Sequence, residues 1–138
     1  MRIRFERVPI CCLLFAVMAQ AGAAEQAKTQ AGAVAQAKAL AKETSDLMSL
    51  HSMMLVTAVR QRDTKGGKED FQRFISGPQN KLQFRWGDLP RDVKIEYIDC
   101  IAALDEFINR SNDSFKAGII LPESRDLKEN TASCRKRK

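Results

Sequence analysis

Residues suited to catalysis or metal binding are scarce in this sequence. It contains one histidine, four cysteines and only 7% aromatic residues. Its glycines form no phosphate-binding G-x-x-x-x-G-K-[ST] or G-x-G-x-x-G pattern, and there is no G-x-S-x-G nucleophile motif. A single histidine with widely spaced cysteines fits neither a zinc site nor a C-x-x-C-H haem site. We therefore expect no cofactor, no metal and no enzymatic activity.

Residues 1–24 have the three-part layout of a secretory signal peptide. The basic segment MRIRFER precedes the apolar run VPICCLLFAVMA, and QAGAA then supplies small residues for cleavage. The apolar run is too short to cross a bilayer, which takes about 20 residues. We expect cleavage near Ala23–Glu25 and a periplasmic or secreted mature protein; the alternative is an uncleaved anchor.

The charge balance argues against nucleic acid as a partner. The whole chain has a formal net charge of +6, and cleavage would remove three arginines and one glutamate from it. The mature chain is then only mildly basic, too little for a nucleic-acid surface. The basic end, residues 135–138, would give at most weak peripheral contact with an anionic membrane.

The cysteines predict one disulfide. Cys11 and Cys12 lie in the predicted signal peptide, which leaves Cys100 and Cys134 in the mature chain. An even pair in an exported protein is typical of a disulfide. This bond would tie the C-terminal tail to the central helix; the alternative is a buried free Cys100 and a loose Cys134.

The hydrophobic pattern predicts an all-α fold, a small bundle of one long, one short and one central helix. Residues 25–36 form an Ala/Gln-rich flexible or frayed helical lead, residues 37–122 the helical domain, and residues 123–138 a disordered polar basic tail. The core face of the long helix, which runs from about Val34 to Arg62, comprises Ala37, Leu40, Ala41, Leu47, Met48, His51, Met54, Leu55, Ala58 and Val59.

The short and central helices follow. The short helix spans Lys68 to Ser76, with Phe71, Phe74 and Ile75 on its apolar side, and ends at Gly77-Pro78. The central helix spans Pro90 to Asn109, and its core stripe comprises Val93, Tyr97, Cys100, Ile101, Leu104, Phe107 and Ile108. A second apolar patch of Ile95, Ile98 and Ala102 predicts that this helix is sandwiched between neighbours.

Residues 81–86 (KLQFRW) alternate between apolar and polar side chains, which is strand periodicity. A lone strand is not stable. We therefore favour an extended or single-turn connection here, and a two-stranded ribbon with residues 118–121 is the alternative. The SNDS segment, Ser111–Ser114, is expected to form a turn after the central helix.

The candidate partner surface lies beside the long helix, near His51, Met53 and Met54. His51 is expected to be packed or to face a partner. Two alternatives use the same residues: an enzyme in which His51 activates Cys100, which requires a free thiol, and a copper site built from Met48, Met53 and Met54 with His51.

Together these observations favour an exported protein that acts by protein–protein contact in the cell envelope, of the inhibitor, immunity, adaptor or chaperone type. Its partner would be another envelope or secreted protein, and a homodimer is possible. The alternatives are a component of a secretion or conjugation apparatus and, less favoured, the enzyme with Cys100 and His51.

Overall fold

The computed structural model of the chain describes the backbone of residues 11–137 and the side chains of residues 22–137. The first ten residues of the predicted signal peptide, and Lys138, lie outside the described residues. The described part contains six α-helices and one π-helical turn, and it has no strand. The all-α prediction is therefore confirmed. The elements are α1 (Cys11–Gln61), α2 (Gly67–Phe71), the π turn (Gln72–Ser76), α3 (Gly77–Gly87), α4 (Arg91–Glu96), α5 (Ile98–Ala117) and α6 (Arg125–Arg135).

The helix α1 contains two kinds of sequence. The chain divides into two compact units, one ending at Gly32 and the other comprising Ala33–Lys138. Every side chain in residues 22–32 is exposed. This alanine- and glutamine-rich part of α1 therefore owes its helical form to high intrinsic propensity and not to packing.

From Ala33 onward, α1 presents its predicted core face. Ala37, Leu40, Ala41, Met48, His51, Leu55 and Val59 are buried, and Leu47, Met54 and Ala58 are half-buried. The helix packs against α3 in antiparallel fashion: Trp86 near the end of α3 donates a hydrogen bond from Nε1 to Thr44 Oγ1 at 3.0 Å. Farther along α1, Leu55 and Val59 pack with Phe71 and Ile75.

The sequence predicted that the short helix ends at Gly77-Pro78, and this is wrong. The π turn joins α2 to α3, and the Gly77 N–H donates to the Gln72 carbonyl, one residue farther back than in an α-helix. Pro78 then occupies the first turn of α3, where its missing N–H leaves no hydrogen bond unmade. Proline commonly ends a helix, but Pro78 lies at the start of α3.

The extended segment predicted at residues 81–86 is wrong, because these residues lie within α3. Leu82 and Trp86 are buried, four residues apart, and they continue the buried positions Ile75 and Gln79. Phe84, the middle apolar residue of the alternation, is 75% exposed. The alternation in the sequence therefore came from two buried residues on one helix face, Leu82 and Trp86, with the exposed Phe84 between them.

The central helix is broken at Tyr97 into α4 and α5. Its predicted core stripe is buried, apart from the half-buried Ile101. The predicted sandwich is wrong: Ile95 and Ile98 remain 60% and 59% exposed. α5 also continues through the predicted SNDS turn, because Ser111 and Ser114 are buried and hydrogen-bonded.

The C-terminal segment is helical where disorder was expected. Ser124 caps α6, accepting a hydrogen bond from the Leu127 N–H at 2.9 Å. α6 packs along α5, and its buried residues are Leu127 and Cys134. Cys134 is bonded to Cys100, so the predicted disulfide is confirmed. The covalent tie and the cap order a segment whose composition alone indicated a loose tail.

Candidate protein-binding groove

An open groove runs along one side of α1, between this helix and the segment formed by the π turn and α3. Its volume is about 770 Å³. The apolar residues that line it are Ala39, Leu47, Leu50, Met54, Phe74 and Pro78. A second depression of about 350 Å³ shares Met54 and Phe74 with it and continues to Ala58 and Gly67. We call the two together the α1–π groove.

Two large apolar side chains of the α1–π groove are exposed to solvent. Leu50 on α1 is 52% exposed and Phe74 on the π turn is 48% exposed. The guanidinium of Arg73 lies over the Phe74 ring, 5.2 Å from its centroid. Because the π turn adds a residue to the helix, it offers a position for an aromatic side chain beside the core residue Ile75.

The charged residues at one end of the groove are already paired. Lys42 Nζ lies 3.5 Å from Asp46 Oδ2 on α1, and Arg85 of α3 contacts Glu43 at 2.6 Å. Asp70 lines the other end. Because both pairs are exposed, each contributes little to stability. The surface between the two ends of the groove is apolar.

His51 lines the α1–π groove but is itself only 4% exposed. Burial lowers the pKa of His51 below its ordinary value, so the side chain is neutral at pH 7. Its Nδ1 atom has no hydrogen-bond partner among the described residues. The antiparallel packing of α1 and α3 puts it at the level of Gln79, whose Nε2 donates to Ser111 Oγ at 3.2 Å. His51, Gln79 and Ser111 are thus buried polar side chains within the core.

The three residues of the predicted partner surface have different surroundings. His51 and Met54 both line the groove, and Met54 is half-buried. Met53 is 68% exposed and belongs to neither lining. It lies farther round α1 on the solvent side, so two of the three predicted residues line the groove and the third does not.

Leu50 and Phe74 are the groove residues that sequence reasoning missed. Leu50 carries a detectable signal, because it is a large apolar residue on the polar side of the α1 pattern, between Ser49 and the core position His51. Phe74 was assigned to the core of the short helix. It lies in the π turn, which no periodicity in the sequence indicates.

The residues of the other two hypotheses do not come together. The sulfur of Cys100 is bonded to Cys134, so the thiol that an enzyme would need is absent in this form. Met48 faces α6, whereas Met54 faces the groove. Within the side chains that the structure describes, no three histidine, cysteine or acidic residues cluster as metal ligands.

Comparison with known protein families, curated protein sequences and solved structures finds no match to this chain. Across the described residues, no helix combines the length and the apolar character needed to cross a membrane.

Proposed function

We propose that this chain is an exported protein without enzymatic activity that acts in the cell envelope by binding another protein through the α1–π groove. The role is of the inhibitor, immunity, adaptor or chaperone type. Its partner is an envelope or secreted protein that inserts apolar side chains between α1 and the π turn.

The observation that carries the proposal is the exposure of Leu50 and Phe74 on facing walls of one groove. Isolated apolar residues on a protein surface are common, whereas adjoining ones in a concave site are typical of binding surfaces. Met54 and Leu47 extend the apolar surface between them. Methionine suits such a site, because its flexible side chain adapts to a partner.

Export is supported by the N-terminal sequence and by the sulfur chemistry. Disulfides persist in oxidising compartments and are rare in the cytosol. The Cys100–Cys134 bond is therefore compatible with a periplasmic or secreted protein, as the signal-like residues 1–24 suggest.

The test is affinity capture from the envelope, using the full-length chain and two charge variants. Leu50→Glu places a carboxylate in the groove, and Phe84→Glu places one at a residue that is 75% exposed and outside it. We expect the same partner to be recovered with the wild-type chain and with Phe84→Glu. Recovery with Leu50→Glu should fall at least about tenfold, because docking would desolvate the new charge.

Thermal unfolding of the three purified proteins is the control for folding, since both substitutions are at exposed sites. Equal recovery with Leu50→Glu and the wild type would contradict the groove as the binding surface. Equal loss with both variants would also contradict it, because the effect would then not depend on position.

A component of a secretion or conjugation apparatus is the second candidate, and the lead segment of α1 favours it. Residues 22–32 form helix with every side chain exposed, which suits an arm that packs only on assembly. Size measurement after mild extraction separates the two candidates: a large membrane complex supports the apparatus, and a free monomer or dimer contradicts it.

A further inference from the structure

Few side chains hold the C-terminal helix α6 against α5, and one polar contact lies just beyond the helix, where Arg137 Nε is 3.1 Å from Asp99 Oδ2. It has 11 residues, and its buried side chains are Leu127 and Cys134. Isolated helices of this length are marginal in water even when rich in alanine. The ion pair Arg125–Glu129 lies within α6 and is exposed on both sides, so it does not attach the helix to the bundle.

The covalent bond adds a second attachment to the packing of Leu127 and the Arg137–Asp99 ion pair. Cys134 lies near the last turn of α6 and Cys100 in the first turn of α5, and both are fully buried. At the other end of α6, Ser124 Oγ lies 3.2 Å from Glu106 on the surface of α5. The disulfide therefore fastens the C-terminal end of α6 to α5, and this end is the one farthest from the chain segment that connects the two helices.

α6 covers an apolar face of the bundle. Leu127 packs with Met48 of α1 and with Ala103 and Phe107 of α5. Met48 is only 5% exposed while α6 is docked. Without α6, this face would be exposed to solvent, whereas α1, α3 and α5 would keep the contacts that they make with one another.

From this arrangement we infer that α6 is a redox-dependent latch: it docks when Cys100 and Cys134 are oxidised and is undocked in the dithiol form, leaving Met48 and Phe107 accessible. Closure is a thiol–disulfide exchange with an external disulfide. One cysteine thiolate attacks it and releases one thiol, and the second cysteine then displaces the other thiol to form the Cys100–Cys134 bond. The external disulfide is reduced to two thiols, which carry the two protons.

Burial of both sulfurs makes the closed latch persistent. A reductant must reach a sulfur atom to break the bond, and neither sulfur is accessible in the docked state. A newly made chain in a reducing compartment thus has α6 undocked, and docking is completed once the chain meets an oxidising one.

The test is hydrogen exchange and methionine footprinting of the full-length chain with its disulfide and of the Cys100→Ser/Cys134→Ser variant. In the variant we expect the α6 amides to exchange at least about tenfold faster, while the amides of α3 keep their protection. Peroxide should oxidise Met48 at least about tenfold faster in the variant, whereas Met53, which is 68% exposed, should react at the same rate in both proteins.

A Leu127→Ala variant that keeps the disulfide separates the bond from apolar anchoring. We expect its α6 amides to stay within about tenfold of the wild type. Three outcomes would overturn the latch: unchanged α6 protection in the cysteine-free variant, loss of protection throughout the bundle, or a loss in Leu127→Ala equal to that in the cysteine-free variant.

Discussion

Replacing Thr44 by valine tests the contact that fixes α1 against α3. Thr44 is fully buried, and its Oγ1 accepts the hydrogen bond from Trp86 Nε1 at 3.0 Å. Valine has nearly the same shape but no acceptor. The indole N–H would therefore stay buried without a partner, since Trp86 is only 1% exposed.

The expected cost follows from these two terms. A buried donor left without a partner costs about 1–3 kcal/mol, and the added methyl group recovers up to about 0.8 kcal/mol of that. We expect the free energy of unfolding to fall by about 1–2 kcal/mol. For a domain of this size, each kcal/mol lowers Tm by roughly 4–8 °C.

A double-mutant cycle isolates the hydrogen bond from the change in packing. Trp86→Phe removes the donor, so Thr44→Val in that background should cost close to nothing. Urea unfolding of the four proteins, all with the disulfide intact, gives the coupling free energy. If Thr44→Val costs the same in both backgrounds, to within about 0.5 kcal/mol, the hydrogen bond does not stabilise the packing of α1 on α3.

Two further predictions concern His51 and Gly67. Because burial lowers the pKa of His51, its contribution to stability is complete above about pH 6.5 and is lost as the pH falls through the folded-state pKa. His51→Gln should therefore reduce the slope of the unfolding free energy against pH between about pH 5 and 7. An unchanged slope would contradict this. An added Cβ at Gly67 would lie 2.0 Å from the Gln61 carbonyl oxygen, whereas at Gly87 it meets no atom within 4 Å. Gly67→Ala should therefore lower the free energy of unfolding, measured in urea, by more than about 2 kcal/mol, and Gly87→Ala should lower it by less than about 1 kcal/mol. Equal losses would show that the backbone near Gln61 adjusts freely.

The sequence was most informative where apolar residues recur at helical spacing over many turns. The core face of α1 and the stripe that includes Val93 and Leu104 were both predicted and are buried. Long amphipathic segments are reliable because each additional turn repeats the same evidence. The disulfide was predicted as well, because Cys11 and Cys12 lie in the predicted signal peptide and Cys100 and Cys134 remain as a pair.

Short elements were harder to predict, because other structures share their patterns. Leu82 and Trp86 fit both a strand and a helix, and Phe84 on the solvent side favoured the strand. Residues 125–135 contain a single large apolar residue, Leu127, so α6 produces almost no periodic signal. Its order depends on Cys134 and on the cap at Ser124, which are tertiary and local hydrogen-bonding effects.

The α1–π groove was located only in part for a related reason. Its α1 wall was predicted, since His51 and Met54 follow from the helical pattern. The opposite wall consists of Phe74 and Pro78, which the sequence assigned to a core position and to a helix end. Phe74 lies in the π turn and is 48% exposed, and the helical pattern indicates neither the turn nor the exposure.

The π turn allows the bundle and the groove to change independently. A π turn contains one residue more than an α-helix needs over the same rise, and flanking helices keep their phase when that residue is lost. Deleting Phe74 would therefore leave Phe71 and Leu82 directed at the core while removing the exposed aromatic ring from the wall that Phe74 shares with Pro78. A single codon can thus alter the surface of the α1–π groove without altering the core of the bundle.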